Sequence, residues 1–563
     1  MSLQWLGIVL SYGVFFFLVL QTIDSRRKID ITVYAVIAIG CIEAVVGNIQ
    51  SLFLEFGRAK GSFFNPNFLA VYLTAISALV LGMLTTSRYG WRVRIILGTV
   101  FLIMVCAVLL TGSRGGWLAF LMAIGCVLWL RFGKVAIAVV LAVVLLLAIV
   151  PNPLQQRVLG EHEHNPYTYS RMQIWSSSFS RALDHPLGTG LGIYKYTSQQ
   201  HPILIEGVLS RYGTRAQTAH SEYLQIAVEL GIGGLLVFFW GMSRMGRAVY
   251  AALTTEQLVE ERSMLIGLTG GMCGLLTHAA VDSSFHQPPV VMLLILFGGI
   301  IVTMQRMGCG EDKIAVFAVR PTALTVCGIY VLATLISVVA IRPALAWYAW
   351  VDAERLLHTR HVEASYARLD WAIFLDPGNA TYHDVHAQAA FQQLHASGDW
   401  AWGHQALARI NYAASLNSID ERYRSHRGRI YSAMADVAGE NELRRWALEN
   451  ARTSYGEAIH RDPYSPRHYL ERARTHVALE DTRASQTDLL QAIELEPNYL
   501  PARFALGRLY QQLGQREEAV TEYQEIIERM AKYHGQTLLP HEKLFLNVDL
   551  EYVHAALVLL SEP

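Results

Sequence analysis

Residues 94–111, RIILGTVFLIMVCAVLLT, carry a single charge, Arg94, at their first position. An apolar run of roughly 18 or more residues, wound as a helix, matches the hydrocarbon thickness of a bilayer. Comparable runs lie at 3–22, 31–54, 67–84, 116–131, 134–150, 222–243, 264–281, 289–305 and 322–341. About ten membrane spans are therefore expected. The chain has 563 residues, 53% of them hydrophobic and 16% charged. The charges are unevenly placed: residues 1–341 hold 23 basic and 16 acidic side chains, and residues 342–563 hold 23 and 30. The second part has the charge density of an ordinary soluble domain and the first does not. This pattern excludes a single soluble globule and a nucleic-acid binder relying on one large basic face. A transmembrane domain at 1–341 and a soluble region at 342–563 are expected.

Lys and Arg collect in short cytoplasmic loops. One set of alternate short loops holds 14 of them, beginning with Arg26, Arg27 and Lys28, and the other holds only Arg58, Lys60 and Arg114. The bias predicts that the N-terminus, the long 151–221 loop and the 342–563 region lie outside the cytoplasm. No basic residue precedes the first span, which fits an uncleaved anchor. None of the six cysteines falls in the exported parts, and no Cys/His cluster has zinc spacing.

Asp462-Pro463 and Glu496-Pro497 stand 34 residues apart, the period of a tetratricopeptide repeat. Laid on 500–533, that repeat puts Leu506-Gly507, Tyr510, Ala519 and Tyr523 at packing positions. The expected architecture is all-α, a polytopic helix bundle followed by a helical solenoid over 345–560. The repeats are clearest at 466–533. Asp376-Pro377 lies 86 residues before Pro463, not a multiple of 34, so degenerate repeats or an inserted segment such as 417–441 must intervene. A solenoid offers a concave face to a protein partner, or it simply braces the membrane domain.

Polar groups at membrane depth are expensive and are functional candidates. Asn65 and Asn67, Arg114, His220 and Tyr223, and His278, Asp282 and His286 all fall at the outer ends of spans. The outer loop adds Arg171, Arg211 and Arg215. Arginine forks grip phosphate oxygens, and a histidine beside them can take a proton from a hydroxyl. Together they suit group transfer from a lipid phosphate or pyrophosphate, with no metal or cofactor expected. Ordinary alternatives stand beside each residue. Arg114 can snorkel, Arg171, Arg211 and Arg215 can be solvated surface charges, and His220 can be a helix-end polar group. His278, Asp282 and His286 share one helical face and could ligate a metal, but Pro288-Pro289 implies a break, which favours Asp282 as an orienting charge. His162 and His164 read as polar loop. Gly188-Thr-Gly190-Leu-Gly192 follows no strand, so it is no dinucleotide fingerprint.

Phe64-Asn65-Pro66-Asn67, Thr111-Gly-Ser-Arg114-Gly-Gly-Trp117, Arg171-Met-Gln-Ile-Trp175, Pro186-Leu-Gly-Thr-Gly190-Leu-Gly192 and Ala219-His220-Ser-Glu-Tyr223-Leu-Gln225 occur in this order. Glu229-Leu-Gly231-Ile-Gly233-Gly234 completes the series. Over roughly residues 60–300 the sequence resembles the O-antigen ligase family, which also holds O-antigen polymerases and protein O-oligosaccharyltransferases. The resemblance implies a metal-independent glycosyltransferase of the GT-C type in the bacterial inner membrane, with the 151–221 loop and the repeats in the periplasm. Such an enzyme moves a glycan from undecaprenyl pyrophosphate to an acceptor hydroxyl; a ligase acting on lipid A core is favoured here, with a polymerase extending a growing glycan and transfer to a protein as alternatives. His220 would then be the base or acceptor-positioning residue, with Asp282 shaping the site. Arg114, Arg171, Arg215 and Arg211 would hold pyrophosphate, and Asn65, Asn67, Tyr223, His278 and His286 would line the substrate site. Ser221 stands where members often have Asn, and the simplest ligases lack the repeat region, which leaves the acceptor open. Rival classes are a transporter of lipid-linked glycans and a non-catalytic membrane scaffold.

Overall fold

The computed structural model describes all residues except 1, 55–56, 87–88, 136–169, 202, 206–207, 213–214, 256–257, 259–260, 310–322, 360, 534, 536–537, 539 and 562–563. Among the described residues all regular secondary structure is helical, without strands. Two compact units emerge: residues 1–195 with 216–316, and residues 196–215 with 317–563.

Among the described residues of the first unit, eight helices are long and apolar enough to cross a membrane: Trp5–Thr22, Arg26–Leu52, Pro66–Leu84, Trp91–Leu110, Arg114–Phe132, Glu222–Thr254, Arg262–Val281 and Pro288–Gly308. Of the ten expected spans, that at 134–150 lies almost wholly outside the described residues. The one at 322–341 falls in the Ala323–His358 helix, which runs on through Pro343. That helix crosses the expected boundary at 341 and is grouped with the repeats.

The Arg262–Val281 helix is the axis of this unit, and its glycines make it so. A Cβ on Gly267 would lie 2.8 Å from Leu79 Cα, and one on Gly271 would lie 2.7 Å from the Ala75 carbonyl. Small residues let the two backbones meet, the usual way helices associate where burial from water gives little drive. The neighbouring Pro66–Leu84 helix is the most enclosed span, 83% buried. Asn65 caps its start by accepting from the Asn67 amide at 2.9 Å. On the other flank, Gly115 opens the Arg114–Phe132 helix against Val281, where an added Cβ would stand 3.0 Å from Val281 Cγ2. Two helix starts and one helix end, Val281-Asp282, are thereby drawn together.

In the second unit, helices pair in sequence: Ala380–Ser397 with Trp400–Leu416, Arg422–Asp436 with Asn441–Arg461, Pro466–Ala478 with Thr482–Leu495, and Leu500–Gln512 with Arg516–Tyr533. The 417–441 stretch is thus mostly the first helix of a degenerate repeat rather than an insertion. Both regular and degenerate pairs use one device. A Cβ on Gly507 would lie 2.7 Å from the Tyr523 ring, and one on Gly428 would lie 2.7 Å from that of Tyr455. Both tyrosines are fully buried.

Candidate functional site

Asp282 is the residue on which the first unit's polar groups meet. It follows the last turn of the Arg262–Val281 helix, its amide donating to the His278 carbonyl. Only 5% of it is exposed. Asn67 Nδ2 donates to Oδ2 at 2.7 Å, and the Ser283 amide donates to Oδ1 at 2.8 Å. His220 Nδ1 lies 3.2 Å from Oδ1, and the Arg171 guanidinium 3.7 Å from Oδ2. Burial pushes the carboxyl's pKa up, but the His220 hydrogen bond and the charges of His278, Arg171 and His220 outweigh it. The net shift is downward, so Asp282 is a carboxylate.

His220 is held in a costly conformation. Its φ is 47°, left-handed for a residue with a side chain, a state that persists only where the surroundings over-determine it. Trp175 Nε1 donates to the His220 carbonyl at 3.1 Å, and the preceding Ala219 amide donates to Gln225 Oε1 at 2.8 Å. The next residue, Ser221, caps the Glu222–Thr254 helix. With Nδ1 protonated and donating to Asp282, Nε2 is the basic nitrogen. It has no hydrogen-bond partner among the described residues, and the side chain is 38% exposed.

Behind this pair, the Glu222–Thr254 helix breaks at Gly231, φ 66° and ψ −163°. The break frees carbonyls, which the Pro186–Gly192 segment takes up. Thr189 N–H donates to the Val228 carbonyl, Gly190 N–H to that of Glu229, and Ile232 N–H back to that of Pro186. Glu229 accepts from the Gly192 and Tyr194 amides and from Gln225 Nε2. The glycine-rich stretch is therefore a docking turn that braces the His220 loop.

Of the expected residues, His220, Asp282, Asn67 and Arg171 come together. Arg114 heads its helix and is exposed, one residue before the Gly115 that packs against Val281. Asn65 serves as a helix cap, and the Tyr223 hydroxyl donates to the Leu276 carbonyl at 3.0 Å. His278 is fully buried with Nδ1 2.5 Å from Ser284 Oγ, and His286 Nδ1 lies 3.4 Å from Glu222. Arg211 and Arg215 belong to the second unit. There the Arg211 amide donates to Glu496 and the Arg215 guanidinium to Asp462 at 2.5 Å. His162 and His164 lie outside the described residues. Residue-by-residue reading missed Arg58, which donates to the Thr111 carbonyl at 2.6 Å and to Asn67 Oδ1 at 3.1 Å, setting the amide of Asn67 toward Asp282. Its signal was available: a basic residue in a loop that charge bias predicts to lie outside. Trp175 stands in a quoted motif, but its role carried no sign there, because its contact is to the His220 backbone.

Residues 99–239 match the O-antigen ligase family. The matched segment contains Arg114, Arg171 and His220 and stops short of Asp282. Residues 500–531 match the tetratricopeptide repeat. No curated protein matches the sequence. Among solved structures, a thermophilic tetratricopeptide protein of Thermus thermophilus is 17% identical, covering 38% of this chain and 99% of that one, with a TM-score of 0.29. The MamA protein is 13% identical, covering 36% and 98%, with a TM-score of 0.28. Pseudomonas aeruginosa pilF is 15% identical, covering 39% and 90%, also at 0.28. The family match supports a multi-pass membrane protein of ligase or polymerase type, with repeats suited to protein interaction.

Proposed function

We propose that the protein transfers a glycan from undecaprenyl pyrophosphate to an acceptor hydroxyl at the periplasmic face of the bacterial inner membrane. The observation that carries this reading is the contact between His220 Nδ1 and Asp282, which leaves the outer imidazole nitrogen as a base. The acceptor hydroxyl gives its proton to Nε2, and its oxygen bonds to the anomeric carbon as the bond from that carbon to pyrophosphate breaks. The pyrophosphate leaves on its lipid, and Arg114 and Arg171 meet its charge, so the step needs no metal. Asn67 and Asp282 position His220 and Arg171. Arg211 and Arg215 belong to the repeat unit, whereas Arg114 and Arg171 belong to the unit that holds His220 and Asp282, so donor binding is assigned to those two.

Three acceptors fit this chemistry: lipid A core for a ligase, a second lipid-linked glycan for a polymerase, and a protein. The repeats favour the last, since solenoids commonly bind protein. Purified protein given a lipid-linked glycan and each acceptor in turn should glycosylate one of them, with Arg114→Ala raising the donor KM about tenfold or more. Movement of the glycan lipid across vesicles with no acceptor modified would overturn the proposal in favour of transport.

A further inference from the structure

The second unit contains a buried polar cluster that the proposed reaction does not use. Glu421 precedes the Arg422–Asp436 helix, Asp462 ends the Asn441–Arg461 helix, and His468 lies in the first turn of the Pro466–Ala478 helix. One ligand atom from each lies within 4.8 Å of the others. All three side chains are enclosed, with exposures of 6%, 1% and 5%. Glu421 Oε2, Asp462 Oδ1 and both ring nitrogens of His468 have no hydrogen-bond partner among the described residues. Buried polar atoms are almost always satisfied, so four orphans in one place call for a missing partner. Arg215 donates to the other Asp462 oxygen, and Asp420 is paired with Arg422. One guanidinium, that of Arg215, faces the Glu421 and Asp462 carboxyls directly.

We propose that Glu421, Asp462 and His468 bind a divalent transition-metal ion, zinc being the best fit, as a structural site of the repeat unit. Two carboxylate oxygens and one imidazole nitrogen form a donor set that zinc accepts readily and that calcium and magnesium, which take oxygen, do not prefer. Three protein ligands leave one position for water. The ion would tie two successive helix pairs together. It would also hold, through Asp462 and Arg215, the 196–215 segment that belongs to this unit. The site is independent of the glycosyl-transfer reading.

The test uses full-length protein in detergent, stripped with chelator and dialysed against zinc or calcium, with bound metal counted by mass spectrometry and unfolding followed thermally. One zinc per chain and a higher unfolding temperature are expected, with calcium producing neither. His468→Gln and Glu421→Gln should each weaken retention about tenfold or more. If either variant fails to fold, zinc-edge absorption of the wild type should show an imidazole nitrogen and carboxylate oxygens. No retained zinc, retention unchanged in both variants, or a shell without imidazole would overturn the proposal, leaving a proton or water to satisfy the cluster.

Discussion

At the scale of single residues, Asp282 orders the candidate site. Four groups from four separate segments meet its carboxylate: Asn67, Arg171, His220 and Ser283. Replacing a carboxylate that orients a catalytic imidazole costs far more than its size suggests, because the wrong tautomer becomes available. Asp282→Asn should lower kcat for glycan transfer by about a hundredfold or more, measured against the same lipid-linked donor. An undiminished kcat would remove Asp282 from the mechanism. His286 gives a prediction about pH. Burial pulls its pKa down, but the hydrogen bond and charge of Glu222, and then the charge of Glu229, push harder, and the net shift is upward. A histidine raised on folding stabilises fully below its unfolded value of about 6.5 and loses that contribution as pH rises through the folded value. The apparent unfolding temperature should therefore drop as pH rises from about 6 through the folded value, and His286→Gln should flatten part of that slope. An identical slope in the variant would refute the assignment.

At the scale of elements, the broken Glu222–Thr254 helix explains why a glycine-rich turn accompanies the histidine. A side chain on Gly231 would meet two obstacles at once: a φ of 66°, and a Cβ driven into the Pro186 carbonyl. Each costs on the order of 1–3 kcal/mol. Gly231→Ala should lower the unfolding temperature and loosen the His220 loop, read as a fall in kcat with donor affinity largely kept. Unchanged stability would mean that the helix break is not required. This element was only partly legible in sequence. The motif was visible, and its failure to follow a strand excluded a nucleotide cradle. That it fills a gap in another helix could not be read, because the partners, Thr189 and Val228, are 39 residues apart. The repeats show the same limit. The pair at 466–533 keeps the 34-residue period, whereas the earlier first helices begin at 380, 422 and 466 and break it. The Gly428–Tyr455 contact preserves the packing without the spacing.

At the scale of the whole molecule, hydropathy and charge division made the membrane part and the helical repeats readable, because span length and repeat period are local properties. Long-range pairings were not readable. Asn67 and Asp282 lie 215 residues apart, and Arg215 and Asp462 lie 247 apart. Both arginines of the 196–215 segment looked equivalent to Arg171 by residue type and side of the membrane. Only the fold separates Arg171 beside Asp282 from Arg215 on Asp462. The account also requires the 170–221 stretch and the repeats to share the periplasmic side. Alkaline phosphatase fused after residue 190 or residue 350 should be active, and inactive fusions at both points would reverse the topology.

The central claim is that His220 is the base for glycan transfer. It is tested most directly by single-turnover transfer with His220→Ala, donor binding being measured on the same preparation. The account predicts transfer reduced by about a hundredfold or more, with donor affinity within a few-fold of wild type. Transfer at the wild-type rate would contradict it.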